Sequence, residues 1–154
     1  MSGGQTGVDR AALDVALELG VPCGGWCPLG RRAEDGPIPD RYPLQETTAG
    51  NDSQRTRLNV RDSNGTLVLT WGEPTGGTLL TLNECDRVGK PRLVIDLAAD
   101  ADRAKQVEAA REWAKGLGGS GTLNVAGPRG SRHPEVYARA KAFVAALLAR
   151  LSAA

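Results

Sequence analysis

The feature that most constrains the fold is a glycine-rich turn running straight into a helical pattern: Ser2-Gly3-Gly4-Gln5-Thr6-Gly7, then Val8-Asp9-Arg10-Ala11-Ala12-Leu13-Asp14. Such a turn leaves backbone N–H groups at a helix start, where the helix dipole favours an anion, most often a phosphate. The arrangement recurs twice. Thr75-Gly76-Gly77-Thr78 precedes a leucine-rich helical stretch, and Gly127-Pro128-Arg129-Gly130-Ser131 precedes the last one. One such loop is weak evidence. Three at strand-to-helix junctions within 154 residues point to a site for a small phosphorylated ligand.

The intervening residues fill in the elements. Ala11, Ala12, Val15, Ala16 and Leu19 recur at helical spacing, and Gly20 is placed to end that helix. Val21-Pro22-Cys23-Gly24-Gly25-Trp26 reads as a short strand weakened by its proline and glycines. From Cys27 to about Asn59 no periodicity is sustained, and the stretch is too long for an ordinary connection; a structured loop with a functional role is expected. Thr66 to Trp71 reads as a buried strand, Gly77 to Val88 as a helix stopped by Gly89, and Arg92 to Leu97 as the next strand. Asp100 is expected to cap a helix that buries Val107, Ala110, Trp113, Ala114 and Leu117. Thr122 to Ala126 forms the final strand. The closing helix, Pro134 to Leu151, buries Val136, Ala140, Phe143, Val144, Leu147 and Leu151, with Pro134 in its first turn.

Alternation with short links predicts a single domain over residues 1–154, an α/β fold: a three-layer α/β/α sandwich, Rossmann-like, on a mainly parallel sheet of about five strands. Ligands of such sheets bind outside the carboxyl ends of the strands, where all three glycine loops fall. One strand is out of place. The first loop should follow about five hydrophobic residues, yet Met1 and Ser2 alone precede it, so the first strand is truncated or missing. Unpaired neighbouring edges and reduced order at the N-terminus are the expected consequences.

Composition excludes several classes. A net charge of +1 gives no basic footprint for nucleic acid. No apolar run reaches the roughly 20 residues of a membrane span, and no signal peptide precedes the glycine loop, so a cytoplasmic protein is expected. Cys23, Cys27 and Cys85 are an odd number for a disulfide framework. With His133 the sole histidine, they do not supply the usual four ligands of structural zinc, and no metal site is expected.

Within the loops, Gly3, Gly4, Gln5, Thr6 and Gly7 are expected to cradle a phosphate through backbone amides, helped by the Thr6 hydroxyl; the plainer alternative is a turn that only fits the backbone. Gly76, Gly77 and Thr78 allow close backbone approach at the second loop. Arg129 offers a planar fork of donors suited to an oxoanion, and Ser131 adds a hydroxyl. Trp71 sits where a ring could stack on a ligand, although tryptophans more often pack. Arg55, Asn59 and Asp62 form a polar group that either orders the long loop or reaches the ligand. No nucleophile–base–acid grouping is persuasively spaced, so catalytic residues stay unassigned.

These segments closely resemble the molybdenum carrier family, Rossmann-like proteins related to the LOG ("lonely guy") and DprA-type superfamily. The similarity runs from Ser2 to Asp14 and on through Gly25-Trp26-Cys27-Pro28, Gly30-Arg31, Ala33-Glu34-Asp35-Gly36 and Ile38-Pro39. It continues in Arg55-Thr56, Asn59-Val60-Arg61-Asp62-Ser63, Thr75 to Thr78 and Asn124 to Arg129. The resemblance implies a binder of molybdenum cofactor, a pterin carrying one phosphate, and a homo-oligomer, dimer or tetramer. It also implies that Arg31, Glu34 and Asp35 line the mouth of the site, one carboxylate reading the paired N–H donors of a pterin or base.

LOG-type enzymes carry a longer glycine motif followed by a catalytic glutamate. This chain has Leu79, Leu80 and Thr81 there, and its next acid is Glu84, which favours binding over hydrolysis. The leading expectation is therefore a carrier; the alternative is a sensor of a nucleotide-derived ligand or a phosphoribohydrolase-like enzyme of the LOG superfamily. A scaffold whose glycine loops only make turns is the third. Both ligand-binding readings predict that Arg129→Ala and Gly4→Val weaken binding without unfolding the domain.

Overall fold

The structure, a computed structural model, describes residues 1–118 and 121–153. In chain order its elements are α1 (Val8–Leu19), β1 (Trp26–Cys27), β2 (Arg32–Ala33), β3 (Gly36–Pro37), β4 (Gln45–Glu46), α2 (Asp52–Arg61), β5 (Gly65–Thr70), α3 (Gly76–Val88), β6 (Arg92–Asp96), α4 (Arg103–Lys115), β7 (Leu123–Ala126) and α5 (Val136–Ser152).

Every residue of β5 is buried, as befits a strand covered on both faces, and it pairs in parallel with β6 on one side and β7 on the other. One face carries Leu67, Leu69, Ile95 and Val125, which pack with Val8, Ala11 and Val15 of α1, Val107 of α4 and Phe143 and Leu147 of α5. Burying side chains such as Phe143 and Leu147 contributes about 1.5–3 kcal/mol each. On the other side α2 and α3 pack together, with Thr78, Thr81, Leu82 and Cys85 of α3 buried. The result is an α/β fold in three layers.

A second parallel pair, β1 with β4, lies beyond the main sheet. Met1 and Ser2 join the two. The Met1 ammonium donates to the Leu123 carbonyl (2.6 Å), the Met1 carbonyl accepts from the Val125 N–H (2.9 Å), and the Ser2 N–H donates to the Gly24 carbonyl (3.0 Å). Two residues thus bridge edges that the sequence leaves unpaired. Beside Met1 a cavity of about 660 Å³ opens between the start of β7, Val21–Gly24 and α5.

The long loop has its own small core. Ile38, Tyr42 and Leu44 pack with Cys27 and with Leu13 of α1. The Tyr42 hydroxyl donates to Asp14 Oδ1, and the Tyr137 hydroxyl to Asp14 Oδ2, each at 2.5 Å, which ties the loop to α1 and α5.

Several boundaries differ from the sequence reading. Strand structure at residues 21–26 is confined to Trp26. Helix α2, inside the stretch read as loop, shows no apolar stripe because its buried residues are Thr56, Asn59 and Val60. Asp102, not Asp100, caps α4, its side chain accepting from the Lys105 N–H. Helix α5 starts at Val136, with Pro134 in the preceding turn. Among the described residues no helix is long and apolar enough to cross a membrane.

Candidate functional site

All three glycine-rich segments lie at one end of the sheet, around a cavity of about 280 Å³, near the lower bound of roughly 300 Å³ for small-molecule sites. The ends of β5 and β7 contribute Thr70, Trp71 and Asn124 to Ala126.

One part of this cleft combines an uncapped helix start with arginine side chains. Helices α2 and α4 are capped by the side chains of Asn51 and Asp102, but Thr75 at the start of α3 makes no side-chain cap, and the first turn of α3 has no acid. The Thr78 and Leu79 N–H groups turn back to the Thr75 carbonyl. Gly76 and Gly77 are exposed, line the cleft, and have open space where a side chain would be. Arg129, Arg132 and His133 line the cleft from the segment before α5, and Arg132 Nη1 reaches Thr75 Oγ1 at 3.4 Å. Glu73 is the nearby lining acid.

Asp9, Asp52 and the α2 residue Arg55 form a second part of the lining. Asp9, in the first turn of α1, is buried, accepts from the Gln5 N–H (3.3 Å), and lies 3.9 Å from Arg55 Nη1. Arg55 also donates to the Gly3 carbonyl (3.2 Å) and pairs with the more exposed Asp52. Burial raises the Asp9 carboxyl to about 6, with Arg55 and the Gln5 N–H pulling the other way. A buried carboxyl raised well above its ordinary value therefore lines the cleft.

The first loop is spent largely on itself. Its Gln5 N–H goes to Asp9, its Thr6 N–H to Gln5 Oε1 (3.0 Å), and the Val8 N–H to the Pro128 carbonyl (3.3 Å). Gly4, at φ 81°, sits where a Cβ would meet Leu44 Cδ1 at 2.5 Å and Ile38 Cδ1 at 3.0 Å. Gly4→Val would thus disturb packing as well as any ligand, which corrects the expectation that it leaves the fold intact. Gly3 and Gln5 line the cleft, whereas Gly4, Thr6 and Gly7 shape the turn beside it.

Residues of the long loop expected at the mouth are committed elsewhere. The Arg31 guanidinium donates to the carbonyls of Ile38 (3.1 Å), Leu44 (3.1 Å), Pro39 (2.9 Å) and Tyr42 (2.9 Å), organising the loop from within. Glu34 accepts from the Thr6 hydroxyl, the Ser131 N–H (3.1 Å) and the Ser131 hydroxyl (2.6 Å), so the Thr6 and Ser131 donors serve a carboxylate of the chain itself. Against the desolvation that pushes it up, these bonds hold the Glu34 carboxyl below its ordinary value. Asp35 pairs with Arg10, which keeps its pKa low. Arg129 Nη1 lies 4.0 Å from Glu34 and also lines the cleft.

Of the polar group before β5, Arg55 and Asn59 both line the cleft and Asp62 does not. The Asn59 amide bonds both backbone groups of Trp26, and Asp62 accepts from the Trp26 indole N–H (2.9 Å), so these two order the loop. Glu84 is buried against Arg87 and Arg57 and is not among the cleft-lining residues. Sequence reasoning missed Asp9, Arg132 and His133. Asp9 carried a signal: an acid in a first turn normally serves the helix dipole, yet this one is buried under the first loop.

A Rossmann-like α/β domain with a polar cleft, lined by both arginines and carboxylates, at the carboxyl ends of its strands is the class defined by this fold and site. The chain belongs to the circularly permutated YpsA SLOG family, whose model matches residues 1–148. It is also similar to a crystal structure named "Putative molybdenum carrier protein" from Syntrophus aciditrophicus, with 41% identity over 96% of this chain and 92% of that one, at a TM-score of 0.89. No curated protein matches the chain.

Proposed function

We infer that this protein binds molybdenum cofactor in the cleft and serves as its carrier or store, acting in the cytoplasm as a homo-oligomer. The observation that carries this reading is the mixed lining of the cleft, arginines and an uncapped helix start together with a buried carboxyl. Arg129, Arg132 and the uncapped start of α3 suit a phosphate, and Asp9 suits the amino and ring N–H donors of a pterin. The similarity to a protein named for molybdenum carriage supports the same cargo. Recognition is assigned to the phosphate and the pterin ring, with Arg55 partly offsetting the burial that raises the Asp9 carboxyl.

Competition calorimetry tests this reading. Binding of the metal-free pterin phosphate should be saturable, be displaced by inorganic phosphate, and weaken about tenfold or more in Arg129→Ala. Binding that ignores both phosphate and the substitution would overturn it.

The buried Asp9, its carboxyl raised, also supports a second reading, hydrolysis of a nucleoside monophosphate with Asp9 as proton donor. Release of free base from such a substrate, lost in Asp9→Asn, is the outcome that would favour it.

A further inference from the structure

Trp71 is the residue after β5, held at the carboxyl end of the sheet. The next residue is fixed, since the Gly72 N–H donates to Asp96 Oδ1 (2.9 Å), which also accepts from the Ala98 N–H (2.9 Å). The indole is braced by Arg139, whose guanidinium carbon lies 5.0 Å from the ring centroid while its Nη1 donates to the Leu97 carbonyl (3.0 Å). His133 lies beside it, with ring centroids 6.0 Å apart and planes inclined by 24°. That is an offset stack of two flat rings.

Both rings line the cleft and both are half-buried, although Trp71 also packs against the main core. The aromatic surface adjoins the arginines and the start of α3 directly, because Arg132 immediately precedes His133 and reaches Thr75. Stacked rings in a wall shared with these arginines do more than fill space. They offer a flat apolar surface to whatever group the phosphate carries.

We propose that Trp71 and His133 form a ring-binding subsite that selects phosphate esters bearing a planar nitrogen heterocycle over sugar phosphates or phosphate alone. The subsite rests on the cleft reading above and adds the class of group that must accompany the phosphate. A third planar ring extends the stack from its His133 side, since Arg139 already lies over the Trp71 ring, while its phosphate meets Arg129, Arg132 and the start of α3.

The test is calorimetry with three probes, inorganic phosphate, ribose 5-phosphate and guanosine monophosphate, whose base shares the aminopyrimidinone face of a pterin. The wild-type chain should bind guanosine monophosphate about tenfold or more tighter than ribose 5-phosphate, from the typical worth of one stacked base. In Trp71→Leu, which keeps an apolar side chain against the core but removes the ring that backs His133, the gap should be intermediate with inorganic phosphate affinity unchanged. His133→Ala, at a half-buried position outside the core, removes the ring that the base would touch and should shrink the gap to about twofold. Equal affinity for the two esters in the wild-type chain, or a gap that survives in both variants, would overturn the subsite while leaving the phosphate contacts standing. Failure of all three probes to bind would overturn the subsite and the cleft reading together.

Discussion

Ser131 donates its hydroxyl to Glu34 Oε2 at 2.6 Å, so the last glycine loop clasps the tip of the β2–β3 hairpin rather than leaving its donors open. Thr6 of the first loop joins the same carboxylate. Glu34→Ala should therefore speed amide exchange in residues 30–38 and 129–132 while the core strands stay protected. Because hydrogen bonds hold the Glu34 pKa down, its contribution is present above the ordinary carboxylate value and is lost as pH falls through the depressed one. Unchanged exchange in the variant would contradict the clasp.

Arg31 organises the long loop by filling four carbonyls with one guanidinium. Arg31→Ala is expected to destabilise the protein by about 2–4 kcal/mol, since acceptors at the loop's core lose their donor. Arg31→Lys should rescue little of this, because an ammonium cannot reproduce the planar fork. Urea denaturation of the three proteins checks both statements.

Gly77 separates stability from binding. It has open space at its missing side chain and lies in the first turn of α3, so Gly77→Ala should stabilise the fold by about 0.5–1 kcal/mol. The same methyl, on a residue that lines the cleft, should weaken inorganic phosphate binding by at least about threefold. A melting curve and a phosphate titration on one preparation read out both effects. Retained affinity would move the anion away from α3.

Asp9 gives stability an uncommon pH dependence. The folded state keeps the proton up to about pH 6, whereas the unfolded chain releases it near 3.8. Between those values the folded state binds more protons, so this group's contribution is fully present below 3.8 and is lost as pH rises through 6. Asp9→Asn should then be more stable than wild type above pH 7, by about 1–3 kcal/mol, with the difference vanishing toward pH 4. A constant difference across that range would contradict a raised Asp9 pKa.

How much of this was legible in the sequence follows from what each residue pairs with. Strand β5 and helices α3 and α5 announce themselves through Leu67, Leu69, Leu82, Phe143 and Leu147, because burial on a fixed period is a local pattern. Helix α2 does not, since its inward residues include Thr56 and Asn59, and Asn59 serves the backbone of Trp26 33 residues away. The three glycine loops were visible as a group, but which of them is open to a ligand depends on side chains from elsewhere. Glu34 takes the donors of Thr6 and Ser131, while Thr75 has no cap to close the start of α3. Arg31 and Arg129 look alike in sequence; one faces four carbonyls of its own loop and the other faces the cleft.

The central claim is that this cleft carries molybdenum cofactor through its phosphate and ring. Anaerobic titration of the purified protein with isolated cofactor, followed by gel filtration and assay of molybdenum and pterin in the protein peak, tests it most directly. Saturable, stoichiometric retention of both, abolished in a folded Arg129→Ala variant, is the predicted result. A folded wild-type protein that emerges with neither molybdenum nor pterin would contradict the account.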